Sequence, residues 1–559
     1  MNEKKHRFLH MDDIAVVIGC VIAFLLVYGV TPLDVTNDAW IMAGYVEYVL
    51  IQHYAGWVMF RSSEWSFPLG LIKNMAVGTG TMLTFTDSIP IVAILCKGIE
   101  GLLPETFQYF GWYILVCFVL QGIAAYKIVS RKVPNCNYCL RGFGTILLGL
   151  TPILLERSFR HTALGSQWII LFAILTFLRG RDAMRQGKQK FPWAYLLLNI
   201  LCVLIHPYFL PMVMVFTLLS VLEYTIHFHK WIRYFLYLLI NMIVAYGVGW
   251  FIGALGWGVG SARFGYGYFN LNLNALINPK SLGDYQWSLF LDELGQVGGN
   301  YDGFNYIGVG MLVLIGIAFL SRITGLIREK NLWSVKNFFR VNWLVLGAFF
   351  CLTVFAISNV VTWNAQTLFE IPIPDWLYWK CGIFRASARM FYPVYYCLFI
   401  YAIYTVLTWK QTTWQVAALA AGLVLQLADL SIVIAQKHEM MKENSAYVSL
   451  LDQEELVEVG QTHDKIIGID FWDIGEQRRI AVWAGKNGMT TSFTIANSGE
   501  YPEADQLAHE EIEALKQGNY DASAVYVTQN VETYKEWLKA LDESDISCYY
   551  YNDAYYIIP

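Results

Sequence analysis

The sequence predicts a mainly α-helical integral membrane protein with a small α/β domain at its C-terminal end. Of the 559 residues, 56% are hydrophobic and only 15% are charged, whereas a soluble domain keeps roughly a quarter of its residues charged. Long apolar runs recur as far as residue 435, and ordinary charge density returns after them. Lipid is therefore expected to surround most of the chain. The net charge of −5, without a long basic run, argues against a nucleic-acid partner.

Apolar runs define the membrane part. A transmembrane helix needs about 20 mostly apolar residues, and runs that approach this length predict about 11 spans. They lie near residues 14–32, 107–129, 139–156, 166–179, 192–206, 208–226, 235–256, 306–321, 342–361, 391–408 and 414–435. The segment 88–104 is apolar but short and contains Lys97, Glu100 and Pro104. We expect it to lie at the membrane surface.

Lysine and arginine in short loops predict the orientation of the spans, because these residues favour the cytoplasmic side. The basic loops fall on one side of the membrane if segment 88–104 does not cross the bilayer. They contain Lys4, Lys5, Arg7, Arg131, Arg141, Arg181, Arg185, Arg233, Arg322 and Lys410. The N-terminus is therefore expected in the cytoplasm. The long loops 33–106, 257–305 and 362–390 and the C-terminus are expected outside.

The composition changes after Ala435, which divides the chain into a transmembrane domain over residues 1–436 and a soluble domain over residues 437–559. Alternating and amphipathic patterns in the second part predict short strands and two helices. Strands are expected at 466–469, 480–483, 491–495, 524–527 and 547–558, and helices at 505–517 and 531–542. We expect this part to be an extracytoplasmic α/β domain.

Acidic residues in the first long loop are candidates for chemistry, because polar groups near membrane depth are costly and usually functional. Asp34 and Asp38 follow the first span directly, and Asp87 lies near the end of the loop. Such a carboxylate could deprotonate an acceptor hydroxyl or hold a divalent ion against a phosphate. Alternatively, Asp34 and Asp38 solvate the end of the span or cap the next helix.

Cationic and imidazole side chains gather on the same predicted face. Arginine suits bidentate phosphate binding, and several arginines together would stabilise a departing lipid phosphate. The group comprises Arg157, Arg160, His161, His206, Arg385 and Arg389. Alternatively, the arginines snorkel or pair with loop carboxylates, and the histidines form hydrogen bonds at helix ends. Arg385 and Arg389 lie on the side that the positive-inside rule does not favour, so we interpret this pair as functional.

Several motifs occur in the predicted outer segments. They are Gln52-His53-Tyr54 with Gly56-Trp57 and Phe60-Arg61, Thr86-Asp87-Ser88-Ile89-Pro90, His206-Pro207-Tyr208, Gly303-Phe304-Asn305-Tyr306 and Phe384-Arg385-Ala386-Ser387 with Arg389. In these motifs the chain resembles a family of bacterial multi-span membrane proteins. That family is similar to the GT-C superfamily of glycosyltransferases, which use polyprenyl-phosphate sugars.

The resemblance implies a GT-C-like helical bundle with a catalytic acid in an early outer loop. Asp38 is then expected to be the base, with Asp34 or Asp87 in support, and Arg385 and Arg389 are expected to hold the donor phosphate. Further expected substrate-binding residues are His53, Arg157, Arg160, His161 and His206. A divalent cation, Mg²⁺ or Mn²⁺, is left open as a cofactor, without identified ligands. The expected partners are a lipid-linked sugar donor, membrane lipid, and an envelope glycan, lipid or protein as acceptor, at a bacterial plasma membrane.

Two other functions stay open. GT-C enzymes usually carry an Asp/Glu-x-Asp pair after the first span, whereas this chain has Asp34-x-x-x-Asp38. A non-catalytic envelope assembly protein would therefore also fit. A transporter or flippase of a lipid-linked glycan would show paired acids or Gly/Pro-interrupted helices in two related halves. No such repeat is evident, so the transferase is the expected function.

Overall fold

The computed structural model describes residues 11–44, 49–133, 137–257, 265–329, 332–449, 451, 453–496, 501–541 and 546–559. The basic residues Lys4, Lys5 and Arg7, on which the orientation prediction partly depends, lie outside this described part.

The described chain up to Glu443 is built from seventeen α-helices. They are α1 Met11–Tyr28, α2 Ala39–Met42, α3 Val49–Ser62, α4 Pro90–Gly98, α5 Phe110–Val129, α6 Tyr138–Gly149, α7 Pro152–Arg157, α8 Trp168–Arg185, α9 Ala194–Ile205, α10 Phe209–Phe228, α11 Trp231–Phe251, α12 Val309–Glu329, α13 Leu332–Ile357, α14 Asp375–Cys381, α15 Tyr392–Leu407, α16 Thr412–Asp429 and α17 Ser431–Glu443. Two antiparallel hairpins lie among them, β1 Leu71–Ile72 with β2 Thr81–Met82 and β3 Val360–Trp363 with β4 Gln366–Glu370.

Eight helical segments of the described chain are long and apolar enough to cross a membrane, and they contain α1, α5, α8, α10, α11, α12, α13 and α15. Helices α16 and α17, which are bent by 46°, add a ninth if they form one span. The predicted count of about 11 spans is not confirmed. Two apolar runs are broken by proline: Pro152 separates α7 from α6, and Pro207 follows α9, which has only 12 residues.

The segment predicted to lie at the surface forms α4, which has nine residues. At 1.5 Å per residue, α4 is about 14 Å long. This is less than half of the hydrocarbon thickness of a bilayer, which is about 30 Å. Helix α4 is therefore too short to cross.

The C-terminal region is an α/β fold with a five-stranded sheet. Its helices are α18 Glu454–Thr462, α19 Ile474–Lys486, α20 Pro502–Lys516 and α21 Val531–Leu538, and its strands are β5 Lys465–Ile469, β6 Thr490–Thr491, β7 Ala524–Thr528, β8 Ser547–Tyr551 and β9 Ala554–Ile558. The strand order is β6-β5-β7-β9-β8. Strands β6, β5 and β7 are parallel, whereas β9 and β8 are antiparallel to their neighbours. Ile467, Tyr526 and Trp537 pack with α20 on one side of the sheet, and the core on the other side is continuous with that of the membrane part.

The predicted strand at 480–483 is wrong, because these residues lie within α19. Residues along nearly the whole of α19 are buried, since the helix is packed between the sheet and α3. A helix that is buried on all sides lacks an amphipathic stripe, so its central apolar run resembles a buried strand.

Helix α19 attaches the α/β region to the membrane part by lying along α3. Gly485 allows this approach, because a Cβ at that position would lie 2.9 Å from the backbone nitrogen of Met59. Arg478 Nη2 donates to Gln52 Oε1 at 2.6 Å. Since His53 follows Gln52 in α3, the C-terminal region lies directly beside the candidate site.

Candidate functional site

A cavity of about 1220 Å³ lies where the ends of several helices meet the long connecting segments. Its charged, amide and imidazole residues are Gln52, Asp87, Arg160, His161, His206, Asp302, Lys380, Arg385, Arg389, Asp473 and Arg478. Its large aromatic residues include Tyr208, Trp257, Phe269, Tyr301, Trp379, Phe384 and Trp472. Six residues that were selected from sequence therefore share one wall: Asp87, Arg160, His161, His206, Arg385 and Arg389.

Asp87 lies in a tight turn that packs against α3. Its φ is 62°, and Ile89 has a φ of 53°, which is unfavourable for a β-branched residue. Ser88 Oγ donates to the backbone oxygen of His53 at 2.7 Å. Gly56 lets the turn approach α3, because a Cβ there would overlap the side chains of the turn. These contacts compensate for the strained backbone and fix the carboxylate.

Three imidazoles face the Asp87 carboxylate. His161 Nδ1 lies 3.1 Å from Oδ2, and His53 Nε2 lies 3.5 Å from the same oxygen. His206 Nε2 lies 3.3 Å from Oδ1. His53 stands behind the wall and is completely buried, whereas His161 keeps part of its ring exposed to the cavity.

Burial and neighbouring groups set the charge of this cluster. Burial alone would raise the pKa of Asp87, but the His206 and His161 imidazoles hold that pKa well below its usual range. Burial lowers the pKa of His161 to about 3, and the Arg389 guanidinium acts in the same direction. Burial also lowers the pKa of His206 to about 4. At neutral pH the cluster therefore contains an ionised carboxylate beside two neutral imidazoles.

A second carboxylate, Asp302, binds two arginines. Arg157 Nη1 donates to Oδ1 at 2.9 Å, and its Nη2 donates to the backbone oxygen of Asp302 at 2.5 Å. Arg389 Nε and Nη2 donate to Oδ2 and Oδ1, both at 2.9 Å. Burial alone would raise the pKa of Asp302, but the two guanidinium groups hold it below its usual range. Arg389 Nη2 also lies 3.4 Å from His161 Nε2, so the two carboxylates belong to one network.

Four arginines and two acids lie close together in this part of the structure. Arg160 forms a buried ion pair with Glu156, and the Arg385 guanidinium lies 5.5 Å from the ring centre of Phe269. The set contains Arg157, Arg160, Arg385 and Arg389 on one side and Glu156 and Asp302 on the other. The excess of positive charge suits an anionic ligand group, with Asp87 as the nearby negative charge.

Asp34 and Asp38 do not belong to the cavity wall. Asp34 is exposed, and its Oδ1 accepts from the backbone nitrogen and the hydroxyl of Thr36 at 3.0 and 2.7 Å. Asp38 Oδ2 accepts from Tyr54 OH at 2.9 Å and lies 2.8 Å from Lys486 Nζ. Asp34 thus stabilises a local turn after the first span, whereas Asp38 does not cap α2 with its side chain and instead contacts Tyr54 of α3 and Lys486 of α19.

Other residues of the site were not selected from sequence. Asp302 is an isolated acid beside the Gly303-Phe304 motif, and the need of buried arginines for a carboxylate partner could have identified it. Trp472 and Arg478 enter the wall from the α/β region. No sequence pattern signals these two, because their position depends on how α19 packs on α3.

Three side-chain atoms are arranged so that they could hold a cation. His53 Nε2, His161 Nδ1 and Asp87 Oδ2 all lie within 4.8 Å of one another. Mg²⁺ prefers oxygen ligands, whereas imidazole nitrogen suits zinc and its neighbours in the transition series. Two imidazoles with one carboxylate therefore fit Mg²⁺ poorly and fit Zn²⁺ well.

Comparison with known proteins places the chain in a family. Residues 16–431 match the DUF6311 family, a domain of unknown function. Residues 455–559 match the DUF6311 C-terminal domain. None of the curated proteins matches the chain. Because the two matches together cover most of the sequence, the chain belongs to the DUF6311 family.

Proposed function

We propose that this protein is a membrane glycosyltransferase. It moves a sugar from a polyprenyl-phosphate donor to an envelope glycan, lipid or protein on the outer face of a bacterial plasma membrane. The observation that carries the proposal is that arginines, an ionised carboxylate and neutral imidazoles lie close together in the wall of one cavity. Glycosyl transfer from a lipid phosphate needs both elements, because a phosphate leaves while a hydroxyl is deprotonated.

Different wall residues serve the two parts of this reaction, which are departure of the lipid phosphate and deprotonation of the acceptor hydroxyl. The acceptor hydroxyl oxygen attacks the anomeric carbon, and the bond from that carbon to the phosphate oxygen breaks. The lipid phosphate leaves with the electron pair and gains one negative charge, which Arg385 and Arg389 stabilise. Asp87, in place of the sequence-derived candidate Asp38, accepts the hydroxyl proton.

The position of the cavity supports transfer over transport. Its wall comes mainly from connecting segments and helix ends, with Leu210 near the start of α10 and Arg389 just before α15. A transporter would need a path through the middle of the bundle. Trp379 and Ile383 line the cavity yet remain about half or more exposed. Such aromatic and apolar residues suit a membrane interface, where the prenyl chain of the donor would enter.

A second cavity of about 1160 Å³ adjoins the first, because Leu282 and Tyr301 line both cavities. Two adjoining cavities give room for a donor and an acceptor, which supports a two-substrate reaction. Its acidic residues are Asp284, Asp292, Glu293, Glu439 and Glu443. This lining disfavours a phosphate through like-charge repulsion. We therefore assign the second cavity to an uncharged or cationic part of the acceptor.

A transfer assay tests the proposed function. Purified full-length protein is incubated with a panel of polyprenyl-phosphate sugars, labelled in the sugar, and with membrane extract as acceptor. We expect release of the carrier phosphate together with transfer of the label, and loss of at least about 100-fold in rate for Asp87→Asn. Asp38→Asn is the matched control, since it removes a first-loop carboxylate outside the wall.

The result distinguishes the candidate functions. No carrier release across the panel, from protein that keeps a cooperative thermal transition, would refute the transferase and favour transport or scaffolding. Equal activity of Asp87→Asn and the unmodified chain would remove Asp87 from the role of proton acceptor.

A further inference from the structure

We propose that His53, Asp87 and His161 form a binding site for a zinc-class divalent metal ion, and that His206 lies beside the carboxylate without being a ligand. The proposal requires no assumption about the substrate, because it depends only on the groups inside the cluster. It assigns the ligands to one imidazole from α3, one carboxylate from the turn before α4, and one imidazole from the segment between α7 and α8.

One of the proposed ligand atoms, His53 Nε2, is buried and lacks a hydrogen-bond partner within the described part of the chain. A buried polar atom without a partner destabilises the folded protein. His53 Nε2 points at Asp87 Oδ2 from 3.5 Å, which is longer than a normal hydrogen bond. His53 Nε2 therefore points, without a hydrogen-bond partner, into the space between the three proposed ligands.

The partner of the other His53 nitrogen explains why Nε2 suits a metal. Nδ1 lies 2.9 Å from Thr162 Oγ1, so this nitrogen is satisfied. When Nδ1–H donates to Thr162, Nε2 presents a lone pair to the Asp87 carboxylate, and the two negative partial charges repel each other. A cation between them turns this repulsion into attraction. Fixing the tautomer through the far nitrogen is also the usual arrangement of a metal-bound histidine.

His206 is not part of the ligand set because its Nε2 lies beside Oδ1, whereas His53 Nε2 and His161 Nδ1 both face Oδ2. The backbone N–H of Tyr208 donates to His206 Nδ1 at 3.2 Å, so Nδ1 carries the lone pair. In the neutral ring the proton then lies on Nε2, which faces Asp87 Oδ1 at 3.3 Å. His206 therefore lies beside Oδ1, which has no hydrogen bond of normal geometry and stays available as a proton acceptor, and Oδ2 is left for the ion.

Two of the three distances between the proposed ligand atoms agree with a bound ion, and all three atoms lie within 4.8 Å of one another. Metal bonds of about 2.0–2.2 Å to nitrogen and oxygen place neighbouring ligand atoms about 3.0–3.5 Å apart. Asp87 Oδ2 lies 3.1 Å from His161 Nδ1 and 3.5 Å from His53 Nε2. For an ion to bind, the proton of the neutral His161 ring must lie on Nε2, so Arg389 Nη2, which is 3.4 Å from Nε2, moves aside and Asp302 Oδ1, 3.7 Å from Nε2, becomes the acceptor. Three protein ligands leave a further position open toward the cavity, as in catalytic zinc sites.

The backbone near two of the three ligands is strained. Asp87 has a φ of 62°, and Phe159, two residues before His161, has a φ of 63°. Each such non-glycine conformation is unfavourable and persists where the surrounding structure requires it. Without an ion, these ligand atoms form one His161–Asp87 hydrogen bond, and His53 Nε2 stays without a partner. The binding energy of an ion would offset this cost.

Metal binding by the full-length protein tests the proposal directly. The affinity tag is removed, since polyhistidine binds the same ions, and the protein is stripped with EDTA and titrated with Zn²⁺. Bound zinc is counted by elemental analysis after desalting, and Co²⁺ is added separately so that its visible absorption reports nitrogen ligands. We compare the variants His53→Gln and His161→Gln with His509→Gln, which removes an exposed histidine of α20.

We expect one tightly bound zinc per chain, at least about tenfold weaker in His53→Gln and His161→Gln, and unchanged in His509→Gln. Mg²⁺ in excess should not displace it. The same zinc affinity in His161→Gln as in the unmodified chain would overturn the proposal, as would displacement by equimolar Mg²⁺. If both variants fail to fold, a Co²⁺ spectrum of the unmodified protein without ligand-field bands would also overturn it. No sugar is present, so these outcomes are independent of the transfer assay.

Discussion

Replacing Glu476 by glutamine should stabilise the protein above neutral pH and change much less in acid. Glu476 lies fully buried on α19. Asn552 Nδ2 donates to its Oε2 at 3.1 Å, and Arg479 Nη1 lies 3.3 Å from the same oxygen. Burial outweighs these favourable contacts and raises the pKa of the Glu476 carboxyl to about 7.

The magnitude follows from proton binding. The ordinary pKa of this carboxyl is 4.5, so between pH 4.5 and 7 the folded chain holds a proton that the unfolded chain releases. The stability gained from this proton is fully present below pH 4.5 and is lost as the pH rises through 7. One pKa unit corresponds to about 1.4 kcal/mol. Relative to its value well below pH 4.5, the free energy of unfolding is therefore lower by about 3 kcal/mol at pH 8 and by only about 1 kcal/mol at pH 5. Glutamine cannot ionise and avoids this loss.

Thermal unfolding of the detergent-solubilised protein, followed by tryptophan fluorescence at pH 5 and pH 8, measures the effect. Glu476→Gln should unfold at a clearly higher temperature than the unmodified chain at pH 8, with a much smaller difference at pH 5. Glu510→Gln, which changes an exposed carboxylate of α20, should show no such pH-dependent difference. A midpoint for Glu476→Gln at or below that of the unmodified chain at pH 8 would refute the reasoning.

Three further substitutions test the site. Asp302→Asn should lower the free energy of unfolding by about 3–5 kcal/mol, because it leaves Arg157 and Arg389 buried without their charge partner; a loss below 1 kcal/mol in thermal or denaturant unfolding would contradict this. Arg385→Gln should weaken the binding of a polyprenyl phosphate by about 10–100-fold, since a hydrogen bond to a charged group contributes about 1.5–3 kcal/mol; titration of the carrier lipid that gives equal affinity would remove Arg385 from the phosphate site. Asp38→Asn should retain transfer activity within about threefold, because Asp38 lies outside the wall; a loss as large as that of Asp87→Asn would return the role of base to Asp38.

The class of fold could be predicted because composition determines it. Low charge content and long apolar runs require a lipid environment, and the change after residue 435 marks the α/β region. The number of spans could not be obtained in this way. A hydropathy average does not show that the helices beside Pro152 and Pro207 end before they reach the thickness of a bilayer.

The members of the site were easier to predict than their roles. Arg389 and His161 stood out because polar groups near membrane depth are costly, and both belong to the cavity wall. The choice between Asp38 and Asp87 could not be made from sequence spacing. It depends on a turn that packs against Gly56 of α3, a contact between distant parts of the chain.

The packing of α19 on α3 has a consequence for biosynthesis. Trp472 and Arg478, which complete the wall, follow the candidate membrane helices of the described chain and therefore leave the ribosome after them. While the chain is being inserted, the cavity lacks one side, and Gln52 lacks its Arg478 partner. The pocket is closed only after the C-terminal region has folded against the early helix. A chain that ends before the C-terminal region therefore presents an incomplete pocket, so assembly of the site is coupled to synthesis of that region.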